Sequence, residues 1–436
     1  MRGRPAGGPF YLSEADLHLT RLRGFQDLIG PSARAVSRVE DCARAIMERH
    51  AVHEMRIPIL ERLELYQRSS GETSDVVEKQ MYAFSDADEA ETLLAIRPEG
   101  TPGVVRAYIE AGLDRSDPEQ RFYYSGPMFR RERPQKGRFR QFHQFGVEIF
   151  GRADAACDAE LLIMIDELRQ ELKLELEFQI NSLGHAECRP AYRAALLEYG
   201  RAHLTELCAD CHQRLERNPL RLLDCKIDVK LAAGAPKSID YLCDACRAHF
   251  ATVERLLSGA GVPYVVNPRL VRGLDYYMRT TFEVVSTAVG SQSAVVAGGR
   301  YDGLVEALGG APVAGTGFAI GVERLALALE ATGGAGAVAP DVALIALGDS
   351  AVVAAMKLAG ELWRRGICVE LLAPDRGLKA LMRRANKLGA HFAIIVGENE
   401  LARGVVQLRD LRAGTQRELP QAVVAGEIAA VSEPAR

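Results

Sequence analysis

From Phe129 to Gln144 the chain carries six lysines and arginines (Arg130, Arg131, Arg133, Lys136, Arg138, Arg140) and one acid, Glu132. Strand-like segments lead in (Phe122–Met128) and out (Phe142–Phe150), so the middle reads as a long hairpin loop loaded with arginine. Guanidinium forks suit phosphate oxygens, singly on a nucleotide or serially along a nucleic acid. A merely solvated loop has the same composition, so the neighbouring residues decide. On the outgoing strand Gln144, Gly146 and Glu148 share one face. Gly146 has no side chain, so a ligand could lie over the backbone between the other two. An amide and a carboxylate flanking a gap suit an amine or another N–H donor.

Two further cations stand in special places. Arg272 precedes Gly273 in Leu270–Tyr277, and Tyr277 falls on the polar face of the strand that follows. Alone this is a weak signal, since an arginine near a turn is usually solvated. Gly315-Thr316-Gly317-Phe318 opens a glycine-spaced strand that runs into a helix over Val322–Glu330. The glycine spacing is not that of a dinucleotide fold, and no Gly-Lys-Ser/Thr of a P-loop occurs. Arg324 sits where the helix dipole disfavours a cation, so it needs another partner, and a phosphate would serve.

Five of the nine cysteines fall between Cys208 and Cys246. Cys208-x-x-Cys211 and Cys243-x-x-Cys246 could form one tetrahedral structural Zn²⁺ site. The 31 residues between the pairs exceed common finger spacings, and Cys225 is left as a spare. The alternative is two reduced pairs in a small helical insert. Near the C-terminus Arg376, Lys379, Arg383 and Lys387 recur at three- and four-residue steps along one helix face. That pattern fits a solvated face or an RNA contact.

The elements that must position these groups show in the apolar spacing. Ala35, Val36, Val39, Ala43, Ile46 and Met47 predict an amphipathic helix over Ser32 to His50. Met55–Leu60 is strand-like, limited by Pro58 to an edge, a bulge or a strand end. Phe145, Val147 and Ile149 oppose Gln144, Gly146 and Glu148. Tyr276, Met278, Thr280, Phe282 and Val284 oppose Tyr277, Arg279, Thr281 and Glu283. Such half-polar strands suit an antiparallel sheet with one working face. Helical stretches such as Ala159–Glu171 flank them. The expectation is an α+β catalytic domain over 18–184 and 256–330, interrupted by a helical insertion domain over 185–255. Residues 1–17 read as a mobile extension and 331–340 as a linker. After the linker, alternating strands (Val342–Leu347, Cys368–Leu372, Phe392–Val396) and helices (Val352–Arg365, Lys379–Leu388) predict a C-terminal α/β domain over 341–436.

Length and charge agree with this division. A chain of 436 residues holds two to four domains of about 100–200 residues each. Lys+Arg 54 against Asp+Glu 58 gives −4, which excludes a polybasic protein but not local basic patches. No uncharged apolar run approaches the roughly 18 residues of a membrane helix. Charges at Arg2, Arg4, Glu14 and Asp16 leave no signal-peptide core. A cytoplasmic location, with no membrane partner, is the expectation.

Taken together, the arginine loop, the glycine strand with Arg324 and the stretch ending at Pro58 resemble the three signature motifs of class II aminoacyl-tRNA synthetases. Leu270–Tyr277, Gly298–Gly303, Arg97–Thr101 and Asp75–Lys79 narrow the resemblance to the histidyl-tRNA synthetases, bacterial type. It runs from about Leu22 to the end of the chain. One departure stands in motif 1. Ala51 and Val52 occupy positions where the family usually has Gly-Tyr.

The resemblance implies a class II fold, a homodimer through motif 1, and L-histidine, ATP with Mg²⁺ and tRNA(His) as partners. It implies that Arg130 holds the ATP α-phosphate, Glu132 the adenine amino group and Arg324 the γ-phosphate, with Phe142 stacked on the base. Glu99, Thr101 and Gln144 would take the amino and carboxylate ends of histidine. Glu148 and Tyr277 would take the imidazole nitrogens, and Tyr301 would line that pocket. Arg272 would bridge the histidine carboxylate and the α-phosphate. Arg133, Gln135 and Arg138 would reach the tRNA acceptor end, and Arg376, Lys379, Arg383 and Lys387 would serve the anticodon side. Two other readings compete. One is the histidine-sensing regulatory subunit of ATP phosphoribosyltransferase, which usually lacks both the histidine-specific block and the C-terminal domain. The other is a plain RNA-binding module, which leaves Glu99, Gln144, Glu148 and Arg324 unexplained.

Overall fold

The computed structural model describes residues 20–70, 79–86, 92–274, 276–290, 294–334, 339–372 and 376–431. The 1–17 extension, Asp75 to Glu78, Asp275 and part of the 331–340 linker lie outside the described residues. The chain divides into two compact units, Met1–Gly336 and Ala337–Arg436.

The first unit is built on an eight-stranded sheet. Its order is His53–Glu54, Arg121–Phe129, Gln141–Phe150, Gly315–Gly321, Ala294–Arg300, Met278–Val285, Glu177–Ser182 and Val265–Val266. The six inner strands pair antiparallel and the two short outer strands join parallel. Strand alternation splits this sheet into two faces. Phe145, Val147 and Ile149 point into the main core with Phe318 and Ile320. Helices Pro31–Arg49, Ala155–Glu171 and Val322–Ala331 cover that side, and the first buries the six apolar residues its spacing predicts. Gln144, Gly146 and Glu148 are left to the opposite, working face.

Helix Pro31–Arg49 ends in a left-handed turn. The Val52 N–H reaches the Met47 carbonyl at 2.9 Å and the Ala51 N–H reaches Glu48 at 3.2 Å, the double bond of a Schellman motif. Ala51 stands at φ 54, where that motif normally takes glycine. A non-glycine residue there costs roughly 1–2 kcal/mol, partly offset by glycine's larger unfolded-state entropy. Ala51→Gly is therefore expected to stabilise the protein by about 0.5–1 kcal/mol. A urea unfolding curve checks this, and a lower midpoint would contradict it.

Two local expectations need correction. Met55–Ile59 is not a strand. Instead its Ile57 and Pro58 carbonyls accept from Arg97 Nη1 at 2.8 and 3.3 Å, and the Ile59 carbonyl accepts the Arg97 N–H at 2.9 Å. The buried guanidinium also donates to Pro127 at 2.8 Å, so Arg97 clamps this segment to the hairpin where a ladder would otherwise run. The alternation through 276–284 also breaks. Arg279 has φ 47, and the register slips between Gly299 and Arg300. This bulge lets Tyr276 and Tyr277 both face the cavity described below.

A buried ionic network braces the far end of the sheet. Arg300 is fully buried and donates to both oxygens of buried Asp158, at 2.6 and 3.2 Å. It also bonds Asp302 at 2.9 Å and the carbonyls of Arg152 and Asp154 at 2.9 and 3.1 Å. His249 Nε2 completes the Asp158 carboxylate at 2.8 Å. Between Ser182 and Val265 the chain forms helices Arg189–Ala202, Ala209–Arg214, Val229–Gly234 and Asp244–Ala260, joined by short 3₁₀ turns.

The second unit is a five-stranded sheet in the order Val369–Leu371, Val342–Leu347, Phe392–Gly397, Val405–Asp410, Gln416–Pro420. The first three strands are parallel, as the βαβαβ rhythm predicts. An antiparallel hairpin, Val405–Pro420, extends the sheet beyond what that rhythm reveals.

Candidate active site: a cation-lined cavity on the working face

A cavity of ≈ 650 Å³ opens on the working face. Residues distant in sequence converge on it: Glu99 and Thr101, then Arg130 to Gln144, Arg272 to Glu283, and Gly321 to Arg324. The arginine loop is not a free solvated tip. Gln135 and Arg138 exchange backbone bonds at 2.9 and 3.1 Å around Gly137. The Gly137 carbonyl accepts from Arg324 Nε at 2.8 Å. The loop is thus folded back over the helix that carries Arg324, whose Nη1 also donates to the Ala294 carbonyl at 2.8 Å. Glu323 secures the same corner by accepting the His143 N–H at 2.8 and 3.0 Å.

The cations here outnumber their local partners. Arg130 Nε donates to the Pro98 carbonyl at 2.8 Å, and its guanidinium lies 5.3 Å from the Phe142 ring centre. Glu132 pairs with Arg138 at 2.7 Å. Burial, and then repulsion from Arg138 and Arg130, lower the Arg324 pKa to about 10. The group still carries its charge at neutral pH. Three guanidinium groups lining one cavity, with Arg324 desolvated and repelled by the other two, form a receptor for a polyanion.

In the same cavity Arg272 pairs with Glu283. Burial opposes its charge most, but Glu283 together with Tyr277, Tyr276 and Asp224 outweighs that and raises its pKa. Glu99, Thr101, Gln144 and the two tyrosines add acidic and neutral polar groups to the lining. Gln144 Oε1 accepts the Gly100 N–H at 3.3 Å, and the Tyr276 hydroxyl donates to Glu99 at 3.3 Å. Tyr276 and Tyr277 stand with rings 4.6 Å apart.

Glu148 and Tyr301 lie one layer behind this wall. Both are about fully buried, at 1% exposure, and Tyr301 donates to Glu148. Thr101 Oγ1 donates to the other Glu148 oxygen at 2.6 Å. The space over Gly146 is also taken. The ring of Tyr124 fills it, and a Cβ on Gly146 would fall 2.2 Å from that ring. Gly146 therefore serves the packing of Tyr124, which leans equally on Gly100, and not the approach of a ligand.

Desolvation raises the Glu148 pKa to about 8. Between about pH 4.5 and 8 the native carboxyl is protonated while the unfolded one is ionised, so the native state binds more protons. Stability from this group is full below the unfolded value and is lost as pH rises toward 8. Glu148→Gln keeps the shape and removes the titration. Its stability should fall less between about pH 5 and pH 8 than that of the parent. An equal fall in urea-derived stability between the two pH values in parent and variant would contradict this.

Other expected site residues lie elsewhere. Arg133 and Gln135 line a separate groove beyond Glu132, and Arg138 borders both spaces. Lys379, Arg383 and Lys387 are exposed along helix Leu378–Leu388 of the second unit, whereas Arg376, also exposed, precedes its cap Gly377 and so is not on that helix face as its spacing predicted. The two Cys-x-x-Cys pairs do not share one site. Cys243 and Cys246 join His185 and Cys188, whereas Cys208 and Cys211 join Cys225 and Asp228. The long separation between the pairs reflects this, and Cys225 is no spare.

Residues that sequence reading missed include Tyr124, Tyr276, Glu283 and Glu323, all in the cavity wall. Glu283 had a readable signal, an acid on a polar strand face close to Arg272. Tyr276 had none, because the bulge that turns it is invisible in the alternation.

The comparisons with known proteins point to one family. The family model described as histidyl-tRNA synthetase matches residues 24–325, and an anticodon binding domain matches 341–430. The histidine–tRNA ligase of Geobacter sulfurreducens is 47% identical over 405 residues, covering 92% of this chain and 97% of that one. The apo histidyl-tRNA synthetase of S. aureus superposes with a TM-score of 0.77 at 32% identity, over 94% of this chain and 100% of that one. A Bacillus halodurans protein, named as an ATP phosphoribosyltransferase regulatory subunit/histidyl-tRNA synthetase, shares the fold at TM-score 0.64 and 21% identity, over 88% of this chain and 99% of that one. The working face of an antiparallel sheet, the folded-back arginine loop and these matches lead to one statement: the chain belongs to the histidyl-tRNA synthetase family, with a class II catalytic unit and a C-terminal anticodon-binding domain.

Proposed function

We propose that the cavity activates L-histidine with ATP and then charges tRNA(His). A histidine carboxylate oxygen attacks the α-phosphorus, diphosphate leaves, and histidyl-adenylate forms. The ribose hydroxyl of the tRNA 3′-terminal adenosine then attacks the histidyl carbonyl and AMP leaves. The observation that carries this reading is the trio Arg130, Arg138 and Arg324 in one cavity, where burial first and then the other two cations lower the Arg324 pKa.

Charge grows on the phosphoryl oxygens during the first step, and fixed cations there lower the barrier. Arg130 would hold the α-phosphate and Arg324 the γ-phosphate, with adenine between Phe142 and Glu132. Arg272, in the same cavity, would meet the histidine carboxylate and the α-phosphate together. Glu99, Thr101, Gln144 and Tyr277 would take the amino acid. Glu148 and Tyr301 would set the imidazole-facing wall from behind. A rival amino acid that leaves such buried groups unpaired is rejected strongly. A histidine sensor that turned over no nucleotide would have no use for the cation trio.

Mg²⁺ would arrive with the outer phosphates of ATP. Zn²⁺ on the insertion cysteines belongs to the same reading as a structural ion. The Arg133–Gln135 groove would meet the tRNA acceptor end. The stripe from Arg376 to Lys387 would meet the anticodon side. The same reading makes the protein a cytoplasmic homodimer. No helix among the described residues is long and apolar enough to cross a membrane.

The test is charging of tRNA(His) with labelled histidine. ATP-dependent transfer of label to tRNA(His), and not to other tRNAs, is expected. Absence of transfer from folded protein that binds both histidine and ATP would overturn the proposal.

A further inference from the structure

The thiols of the insertion gather into two four-membered groups, each closed by one ligand that is not sulfur. In each group the four ligand atoms lie within 4.8 Å of one another. We propose that the insertion binds two zinc ions, one at His185, Cys188, Cys243 and Cys246 and one at Cys208, Cys211, Cys225 and Asp228, and that the second ion holds a wall of the active-site cavity. The stoichiometry stands independently of the synthetase reading. The role of the cavity wall rests on it.

The spacings fit a tetrahedron. Cys208 Sγ and Cys225 Sγ are 3.7 Å apart. A disulfide requires about 2.05 Å. Four bonds of about 2.3 Å to a tetrahedral ion give sulfur–sulfur edges of about 3.8 Å. His185 Nδ1 lies 3.1 Å from Cys188 Sγ and 3.4 Å from Cys246 Sγ. The matching nitrogen–sulfur edge is about 3.5 Å.

Backbone N–H groups already point at the sulfurs. Cys211 donates to Cys208 and Cys246 to Cys243, each at 3.5 Å, while Cys243 donates to Cys188 at 3.3 Å and Asp228 to Cys225 at 3.4 Å. Such donors favour the thiolate form that a metal needs. His185 turns its second nitrogen toward Glu187, 3.5 Å away, the outer carboxylate that commonly orients a ligating imidazole. A redox pair of Cys208 and Cys225 would use two of four groups and leave Cys211 and Asp228 unexplained.

The second site stands at the cavity. Cys208, Cys211 and Cys225 line it together with Arg130 and Arg272. Between Cys211 and Cys225 lies Arg221, whose Nη2 donates to the Gly273 carbonyl at 2.8 Å. An ion joining those two cysteines fixes the arm that braces the turn carrying Arg272.

The experiment measures zinc per chain on full-length protein purified without chelators, alongside steady-state exchange. The expected result is two zinc per chain, one each in Cys188→Ser and Cys225→Ser, and none in the double variant. Should either variant fail to fold, the parent decides by thiol titration. Six cysteines, the sulfur ligands of the two groups, should be protected until a chelator is added. A single zinc lost from both variants, no zinc with all thiols reactive, or a Cys208–Cys225 disulfide would overturn the proposal. Cys225→Ser should raise the KM for ATP or histidine about tenfold over Cys188→Ser. Equal KM values would refute the role of the wall. Two zinc ions with no histidine-dependent exchange would refute the synthetase reading and leave the metal sites standing.

Discussion

Arg272→Ala lowers the rate of histidine-dependent ATP–pyrophosphate exchange by about 10²–10³-fold, the cost of removing one preorganised group from a developing oxyanion. The expectation follows from position. Arg272 lines the same ≈ 650 Å³ cavity as Arg130 and Arg324, so an anion held there meets all three cations. Its pairing with Glu283 fixes the guanidinium before substrate arrives. The loss should appear mainly in kcat, because the charge it opposes grows in the transition state. Arg272→Lys keeps the charge without the planar fork, and it should recover only part of the rate. The variant also leaves Glu283 without its partner. Glu283→Gln therefore belongs in the same series to separate that effect. A change in kcat below about tenfold for Arg272→Ala would contradict the assignment.

The second large effect is on stability. Arg300→Met strands the Asp158 carboxylate, which is fully buried. Removing one partner of a buried ion pair costs about 3–5 kcal/mol, a large share of the 5–15 kcal/mol that typically holds a domain together. His249 remains within 2.8 Å of Asp158 and softens the loss without replacing the two guanidinium bonds. Replacing both partners, as Arg300→Met with Asp158→Leu, removes the unpaired charge. The double variant should therefore recover much of the stability. Urea unfolding of the two single variants and the double variant measures the coupling. Additive losses, or a loss under about 1 kcal/mol for Arg300→Met, would contradict it.

Much of the fold can be read from periodicity. The apolar spacing of 35–47 places the first helix within a residue at each end, and alternation places Gln144 and Glu148 on the working face. The misreadings have specific causes. Arg97 draws the Ile57 and Pro58 carbonyls out of any ladder through a contact some forty residues away, beyond the reach of a local pattern. A two-residue bulge at Arg279 and Thr280 turns Tyr276 toward the site, and no propensity announces a bulge. Gly146 looked like room for a ligand because its neighbour across the sheet, Tyr124, is not adjacent in sequence. The cysteines show the same limit. Spacing identifies the two Cys-x-x-Cys pairs, but only the fold shows that His185, Cys188, Cys225 and Asp228 divide them into separate groups.

The central claim is that this cavity activates histidine and no other amino acid. It is tested most directly by ATP–pyrophosphate exchange with the purified chain and each of the twenty amino acids in turn. The account predicts exchange that requires histidine and stays near background with the other nineteen. Folded protein that binds histidine yet catalyses no exchange, or that exchanges equally well with several amino acids, would contradict it.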